Sequence, residues 1–310
     1  MKSNGNAKVK VKTSIAQKKE NFTGALFIAP YLIGYVIFQG LPFLIAVVLG
    51  FTNVRYISKL EDASFVGINN FIRMFTDVDT MKALGRTGLY SLMYVPLIMV
   101  CGFFIAYMVN KGIHCKNLVR SMFFLPYVSN MVAVAVVFKL LLGPDGPVVY
   151  ILSALGSENP PYLLYGLNTA LPTVVCIAVW KGIGLNFITY LAALQNVSAD
   201  LLEAAQIDGA SKWRQLWNIS LPGISPVISI QFLLTVGRLL TVGYEKIILL
   251  YTGATYSTAD VISTYVYRRG LIEANYSYGA AISIFQAVIA LILVVGSNKA
   301  AQKIGSTSLW

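Results

Sequence analysis

Charged side chains are scarce in this chain: only 12% of its 310 residues are Asp, Glu, Lys or Arg. Soluble domains usually carry about a quarter. Apolar residues make up 56% of the chain, and several apolar runs approach or exceed the roughly 20 residues that a helix needs to cross a hydrocarbon core. The composition therefore predicts a polytopic, all-α membrane protein. The net charge of +11 is better explained by loop orientation than by nucleic-acid binding, so we expect no nucleic-acid partner.

Cysteine and histidine are too few and too scattered to suggest a metal or a disulfide framework. Cys101, Cys115 and Cys176 form no CxxC pair. His114, the single histidine, stands beside Cys115, but no third group is placed to orient a catalytic dyad. We therefore expect no metal, no cofactor and no catalytic residue.

Six apolar segments are separated by polar or turn-rich stretches, and we interpret them as transmembrane helices. Between the third and the fourth, residues 143–167 contain GPDGP and NPP, which predicts a loop that packs on the bundle. The six predicted spans are residues 24–51, 87–109, 121–142, 168–194, 222–244 and 277–298.

The distribution of cations predicts that both chain ends are cytoplasmic. With that orientation the inner segments hold 13 Lys or Arg and 4 acids, whereas the outer segments hold 8 cations and 9 acids. The domain organisation is then a cytoplasmic tail at 1–23, a six-helix membrane domain at 24–298 and a second cytoplasmic tail at 299–310. No small-residue cleavage pattern ends the first apolar run, so we expect a retained span after the lysine-rich tail, which carries Lys2, Lys8, Lys10, Lys12, Lys18 and Lys19.

The inner segment after the fourth span, residues 198–222, has the pattern of a short helix, a glycine turn and a second helix. Ser198 is placed to cap the first helix, and Gly209 to break it. The second helical stretch carries Trp213, Leu216 and Trp217, and Leu221 and Pro222 then open the fifth span. A Trp- and Leu-rich element between two spans needs a partner surface.

This segment resembles the EAA loop of permease subunits of ABC importers, which has the pattern EAAxxDGA followed by IxLP. The spacing from the Glu to the Gly, and from the Gly to the Leu-Pro, matches throughout. The matching residues are Glu203, Ala204, Ala205, Asp208, Gly209, Ala210, Ile219, Leu221 and Pro222.

Other stretches narrow the resemblance to carbohydrate permeases of the maltose-type superfamily. FVGINNFIRMF from Phe65, FFLPYV from Phe123 and WKGIGLNFITYLAALQNV from Trp180 resemble sugar-branch motifs. ADVISTYVYRRGL from Ala259, with the ending TSLW, resembles most the subgroup that handles oligosaccharides and polysaccharide fragments. Leu216 stands where the family often has Phe, which slightly changes the expected plug into the ATPase.

The resemblance implies the type I importer permease fold and a half-transporter in the cytoplasmic membrane of a prokaryote. Its implied partners are a second, homologous permease, two cytoplasmic ATPase subunits that dock on the EAA loops, an extracytoplasmic binding lipoprotein, an oligosaccharide and membrane lipid. Glu203 is expected to pair with a basic ATPase side chain, and Gly209 to supply the bend. The chain contains no GxxxxGK[ST] phosphate loop, so ATP hydrolysis is expected in the partner subunits, not in this chain.

Three cations fall inside predicted spans: Lys139, Lys181 and Arg238. Ionisable groups at such depth usually face the protein interior or a watery cavity. In one interpretation they serve structure, pairing with Glu245, Asp145 or helix carbonyls. In the other, at least one lines the translocation cavity and favours a sugar that bears carboxylate or acetamido groups.

Neutral sugars are ordinarily held by amides, hydroxyls and aromatic faces, and such groups recur on the third, fourth and fifth spans. They can equally be interhelical contacts. With two of the cations, the substrate-path candidates are Tyr127, Asn130, Trp180, Lys181, Asn186, Tyr190, Gln231, Arg238 and Tyr244.

Three alternatives compete with an oligosaccharide importer. The same machinery handles other solutes such as glycerol phosphate, polyamines or amino acids. An intramembrane enzyme needs paired Asp, a Ser and Lys dyad or metal-spaced His within the spans, and the spans carry none of these patterns. A channel needs a self-sufficient pore motif and leaves the EAA loop without a purpose.

Overall fold

The computed structural model describes residues 15–56, 63–112, 116–238 and 243–303. Most of the lysine-rich tail, His114, Cys115 and the ending TSLW lie outside these residues. The described chain is almost entirely helical, with α1 Ile15–Tyr35, α2 Leu41–Gly50, α3 Asn69–Thr76, α4 Val78–Asn110, α5 Lys116–Val128, α6 Met131–Leu142, α7 Pro147–Ala154, α8 Ala170–Gln195, α9 Ala199–Ile207, α10 Lys212–Gln215, α11 Leu221–Gly237, α12 Tyr244–Leu250, α13 Tyr256–Ala259, α14 Ile262–Val266 and α15 Tyr276–Lys303. π-helical segments lie at Val36–Gly40, Leu216–Ser220 and Tyr267–Ile272.

The described residues contain six helical stretches that are long and apolar enough to cross a membrane, as the hydropathy pattern predicts. Five overlap most of a predicted span, although the second begins nine residues earlier, and the fifth begins ten residues earlier and ends seven residues earlier. The third, which covers α6 and α7, begins ten residues after the predicted start at 121. The stretches are Phe22–Gly50, Val78–Asn110, Met131–Ala154, Ala170–Gln195, Lys212–Gly237 and Tyr276–Gln302.

The third predicted span, 121–142, is not one continuous helix. α5 ends at Val128 after a proline, Pro126, and α6 begins at Met131 with the Asn130 side chain accepting the Val132 N–H at 2.8 Å. Pro126 lies inside α5, before the break, and the Asn130 cap fixes where the next helix begins.

The fifth predicted span, 222–244, is broken as well. α11 ends at Gly237, and α12 begins after Gly243, which has a φ of +98°. Residues 239–242 lie outside the described part. In the described part of the chain, the predicted spans 121–142 and 222–244 are thus each interrupted, as α5 with α6 and as α11 with α12.

Part of the predicted loop 143–167 is helical. Pro147–Ala154 forms α7, which begins with proline at a helix start, where its missing N–H and fixed φ cost nothing. Extended backbone at Gly143 and Gly146 separates α7 from α6. The prediction of a loop was therefore wrong over this stretch.

α8 lies at the centre of the bundle and packs on α4 and α5. More than half of its most apolar window is buried, whereas none of the corresponding window of Phe22–Gly50 is. Gly184 on α8 allows the close approach of α5, because a Cβ there would lie 2.6 Å from the carbonyl oxygen of Phe123. Small residues at helix contacts are typical of membrane bundles.

Hydrogen bonds and ion pairs join residues at one end of the bundle. This end, which contains Asp77, Asp260, Tyr265, Arg268 and Tyr278, is called the far end. The hydroxyls of Tyr265 and Tyr278 each donate to Asp77 Oδ2 at 2.9 Å. Burial alone would raise the pKa of Asp77, but these hydrogen bonds outweigh it and lower the pKa below its ordinary value. Arg268 pairs with Asp260, whose side chain is 3% exposed.

Candidate functional site

The segment with the EAA pattern forms α9 and a tight left-handed turn. The Ala210 N–H donates to the Ala205 carbonyl at 2.8 Å, and the Gly209 N–H to the Gln206 carbonyl at 3.0 Å. This pair of bonds is the Schellman arrangement, which needs a left-handed residue after the helix. Gly209 fills that place with a φ of +74°, so the predicted bend at this glycine is confirmed.

The other end of α9 differs from the prediction. Ser198 stands at the N-cap position with extended backbone, but its side chain makes no capping hydrogen bond. The cap that does form belongs to the next helix, where Ser211 Oγ accepts the Arg214 N–H at 3.3 Å. The Gln215 side chain donates to the Ala210 carbonyl at 2.9 Å and braces the turn.

The helix after the turn runs directly into the fifth span. α10, the π-helical segment Leu216–Ser220 and α11 form one stretch from Lys212 to Gly237. The π turn has a local cause, because Pro222 lacks an N–H and its ring crowds the preceding turn. Leu221 and Pro222 therefore lie within a continuous helix and do not open the span as predicted. The Tyr107 hydroxyl donates to the Lys212 carbonyl at 3.2 Å and ties this helix to α4.

α9 has no buried residue, although α8 just before it has fourteen. Glu203, Ala204 and Asp208 are exposed, and Ala205 and Ala210 are half-buried. Exposed apolar side chains flank them, with Ile207 88% exposed and Trp213 62% exposed. α9 therefore lacks a partner within the described chain, which is unusual for a helix with apolar residues.

Leu216 does not belong to this exposed surface. It is 2% exposed and packs in a core cluster with Phe187, Leu191 and Ile224. The expectation that it acts as a plug into a partner subunit was wrong, because its side chain is already buried within this chain.

A second candidate site is a cavity of about 310 Å³ near the middle of the bundle. It lies where both interrupted helices break, against the middle of α4 and α8. Its lining combines aromatic faces, amides and cations with apolar side chains: Tyr94, Ile98, Tyr127, Gly182, Leu185, Asn186, Gln231, Leu234, Thr235, Arg238, Gly243 and Lys246.

Four of the nine substrate-path candidates line this cavity, namely Tyr127, Asn186, Gln231 and Arg238. They come from three helices that are distant in sequence, α5, α8 and α11. Asn186 is 7% exposed, whereas Tyr127 is 40% exposed. The structure therefore gathers amide and aromatic groups of the kind that hold sugars into one place.

Lys181 and Asn130 form hydrogen bonds at the break between α5 and α6, beside the cavity. Lys181 Nζ donates to the carbonyls of Pro126 at 3.2 Å, Tyr127 at 3.2 Å and Ser129 at 2.7 Å. A cation at a helix C-terminus compensates carbonyls that have no helical partner. Asn130 is the N-cap of α6.

The three remaining candidates lie elsewhere in the described structure. Trp180 packs edge-to-face on Phe138 at 5.3 Å. Tyr190 is fully buried in the core between α4 and α8. Tyr244 contacts Tyr267 at a ring distance of 5.4 Å and lines a separate cavity of about 400 Å³.

Lys246 lines the central cavity, and sequence reasoning missed it. Its Nζ lies 5.3 Å from the ring centroid of Tyr94, which itself stacks on Tyr90 at 5.6 Å. The residue was counted in an outer loop because the hydropathy window ends at 244. The one local signal is Gly243, a turn residue that precedes a second apolar run containing the lysine.

The comparisons with known proteins agree with this architecture. The family model described as "Binding-protein-dependent transport system inner membrane component" matches residues 98–301. The polygalacturonan/rhamnogalacturonan transport system permease protein YteP of Bacillus subtilis (strain 168) is 29% identical over 288 residues, 92% of this chain and 89% of that protein. The sn-glycerol-3-phosphate transport system permease protein UgpA of Yersinia pestis bv. Antiqua (strain Antiqua) is 34% identical over 239 residues, 76% of this chain and 78% of that protein.

A solved structure is similar over nearly the whole chain. It is a chain of the bacterial alginate ABC transporter in complex with an alginate pentasaccharide-bound periplasmic protein. The sequences are 30% identical, the TM-score is 0.85, and the match covers 96% of this chain and 100% of that chain.

Proposed function

Because the chain belongs to the family of binding-protein-dependent transport system inner membrane components, we propose that it forms half of the membrane path by which an ABC importer carries an oligosaccharide. It is a transport subunit and a multi-pass protein of the cell membrane. The observation that carries the proposal is the central cavity, where Tyr94, Tyr127, Asn186 and Gln231 bring aromatic faces and amides together at the breaks of two membrane helices. Interrupted helices near the middle of a bundle recur at substrate sites of transporters.

α9 is the surface on which an ATPase subunit docks. Its apolar and acidic side chains have no partner in the described chain, and the helix after its turn continues into α11 without a break. Movement of a docked ATPase is therefore transmitted to α8 at one end of the segment and to α11 at the other, as a rigid-body switch. In this assignment Glu203 pairs with a cation of the ATPase and the α9 end of the bundle is cytoplasmic, as are both chain ends.

Further subunits complete the importer. A second, homologous permease forms the other half of the membrane path. The exposed apolar side chains of Phe22–Gly50 face lipid or that second permease. An extracytoplasmic binding lipoprotein delivers the sugar to the far end.

A second candidate function is import of glycerol phosphate, which the 34% identity to UgpA favours. Measurements of solute uptake distinguish oligosaccharide import from glycerol phosphate import. In a strain that lacks this chain, a wild-type copy should restore uptake of at least one oligosaccharide from a panel, and sn-glycerol 3-phosphate uptake should not change. Restoration of glycerol phosphate uptake alone would contradict the oligosaccharide proposal.

The division of labour with the ATPase is tested on purified protein. The chain alone should hydrolyse no ATP, whereas its complex with ATPase subunits should, because no phosphate loop is encoded here. ATP turnover by the isolated chain, free of contaminating ATPases, would contradict the assignment.

A further inference from the structure

The charges that line the central cavity are all of one sign. Lys246 and Arg238 are its two ionisable lining residues apart from tyrosines, and no carboxylate is among the described lining residues. The neighbouring residues 239–242, outside the described part, are Leu, Leu, Thr and Val and add no acid. The cavity is therefore electropositive.

Elsewhere in this chain, partly buried cations are paired with acidic side chains. A smaller cavity of about 170 Å³ at the far end is lined by Lys82, Arg86 and Arg268 together with Asp79 and Asp260. There Arg268 pairs directly with Asp260. Among the described residues Lys246 forms no salt bridge of this kind, and its ammonium group lies beside the ring of Tyr94.

Lys181 shows a second way to accommodate a cation at this depth. Its ammonium group is occupied by three backbone carbonyls, from Pro126, Tyr127 and Ser129. The acid nearest to Lys246 along the chain is Glu245, which precedes it on α12 and interacts with it electrostatically. Glu245 is exposed and does not line the cavity. Cations held within a membrane bundle are costly and usually mark a path for a charged partner.

We infer that the central cavity selects oligosaccharides that carry carboxylate groups, with Lys246 and Arg238 as the cations that contact the carboxylates. The inference rests on the proposed function, since it names the substrate class of the same cavity. The aromatic face of Tyr127 and the amides of Asn186 and Gln231 hold the sugar rings, and the two cations discriminate by charge. Tyr94 is 6% exposed and packs against Lys246 and Tyr90 instead. A single-sign cavity with low-dielectric walls concentrates substrates of the opposite charge.

The test uses the complete importer in proteoliposomes, with this chain, its second permease, the ATPase subunits and the binding protein. The probes are an α-1,4-linked trigalacturonate, a trimannuronate and two neutral trisaccharides, maltotriose and xylotriose. Wild type should take up an acidic probe at least tenfold faster than either neutral one. Uptake of neutral probes alone would overturn the inference and leave the proposed function intact, whereas glycerol phosphate uptake without any trisaccharide would overturn both.

Substitutions at the two named cations test their role with the binding protein unchanged. Lys246→Met should lower uptake of the acidic probe at least tenfold, and Lys246→Arg should restore most of it. Arg238→Gln, at an exposed side chain, provides a second measurement if Lys246→Met fails to assemble. Lys139→Met is the matched control, because Lys139 is another cation within a predicted span but does not line this cavity.

The amount of assembled complex shows whether a variant loses uptake through altered selectivity or through failure to fold. The amount of complex should equal that of wild type in Arg238→Gln and Lys139→Met, and basal ATP hydrolysis should equal that of wild type in Lys139→Met. Acidic uptake within twofold of wild type in an assembled Lys246→Met or Arg238→Gln complex would overturn the inference. So would an equal loss in Lys139→Met.

Discussion

The polar side chains at the two ends of the bundle differ in their surroundings. At the far end Asp77, Asp260, Arg268 and Arg269 are joined to other groups of the same chain by hydrogen bonds and ion pairs. At the α9 end, Glu203 and its neighbours are exposed, and no residue of α9 is buried. These charged groups at the far end are thus paired within one chain, whereas the charged and apolar side chains of α9 are exposed.

The difference implies that the two ends respond differently to substitution. Changes at the far end should lower the stability of the chain itself, because they leave buried groups without partners. Changes on α9 should leave the chain stable and remove its ability to bind another subunit. Measuring thermal stability of the purified chain beside co-purification of the ATPase separates these effects.

The largest loss of stability is expected for Asp260→Ala at the far end. Asp260 accepts the Thr264 hydroxyl at 2.6 Å and pairs with Arg268. Removing one member of a buried pair costs several kcal/mol, reduced here to about 2 kcal/mol because Arg268 is partly exposed. The midpoint of thermal unfolding in detergent should fall by several degrees. An unchanged midpoint would show that the far end is not held by this pair.

Lys181→Met extends the comparison to the middle of the bundle, with a somewhat smaller effect. The substitution removes the donor to three carbonyls at the end of α5, which we expect to cost about 1 to 2 kcal/mol. The amount of folded chain should fall, while the ratio of acidic to neutral trisaccharide uptake per assembled complex stays constant. A changed ratio with normal assembly would place Lys181 in the substrate path and not in the helix break.

Gly209→Val should have a small effect on the stability of the chain and a large one on docking. A Cβ at Gly209 meets no atom within 4 Å, so the substitution causes no steric clash. The loss of stability comes from the left-handed backbone alone, which costs about 1 to 2 kcal/mol and more for a β-branched residue. The turn should open and misplace Glu203, so that ATPase co-purification and uptake both fall. Gly209→Asn is the matched control, since Asn tolerates this conformation, and it should keep most of both activities.

Glu203→Lys should have the smallest effect on stability, because the side chain is exposed and makes no described contact that the substitution would break. ATPase co-purification should nevertheless fall at least tenfold by charge reversal at the docking surface. Glu158→Lys is the matched control, since it reverses an exposed Glu in the segment 143–167, and co-purification should be unchanged. Wild-type docking and uptake in both Glu203→Lys and Gly209→Val would show that residues 198–222 are not the coupling element.

Sequence reasoning was most successful where the signal was local. Gly209 was predicted to bend the chain from its motif, and the left-handed turn follows from hydrogen bonds within six residues. Hydropathy located the apolar spans because it depends on composition alone. Neither signal indicated that Leu216 is buried, because its burial depends on Phe187 and Leu191 of another helix.

The helix breaks were the main features that hydropathy concealed. A hydropathy average over a window of residues does not register that the backbone stops being helical at Ser129 or after Gly237, because it depends on composition and not on backbone conformation. Lys246 was therefore assigned to a loop although it lines the central cavity. Pro126 and Gly243 were the available local signals.

Composition and motif by themselves determined that this chain is a bundle of six membrane helices with a helical element that needs a partner, because hydrophobic length and turn chemistry are properties of consecutive residues. Tertiary structure alone decided which polar residues meet. It assigned Lys181 to helix carbonyls and brought Lys246 beside Tyr94. The physical reason is that a cavity is formed by residues from different helices, whose relative rotation and breaks depend on packing across the whole bundle.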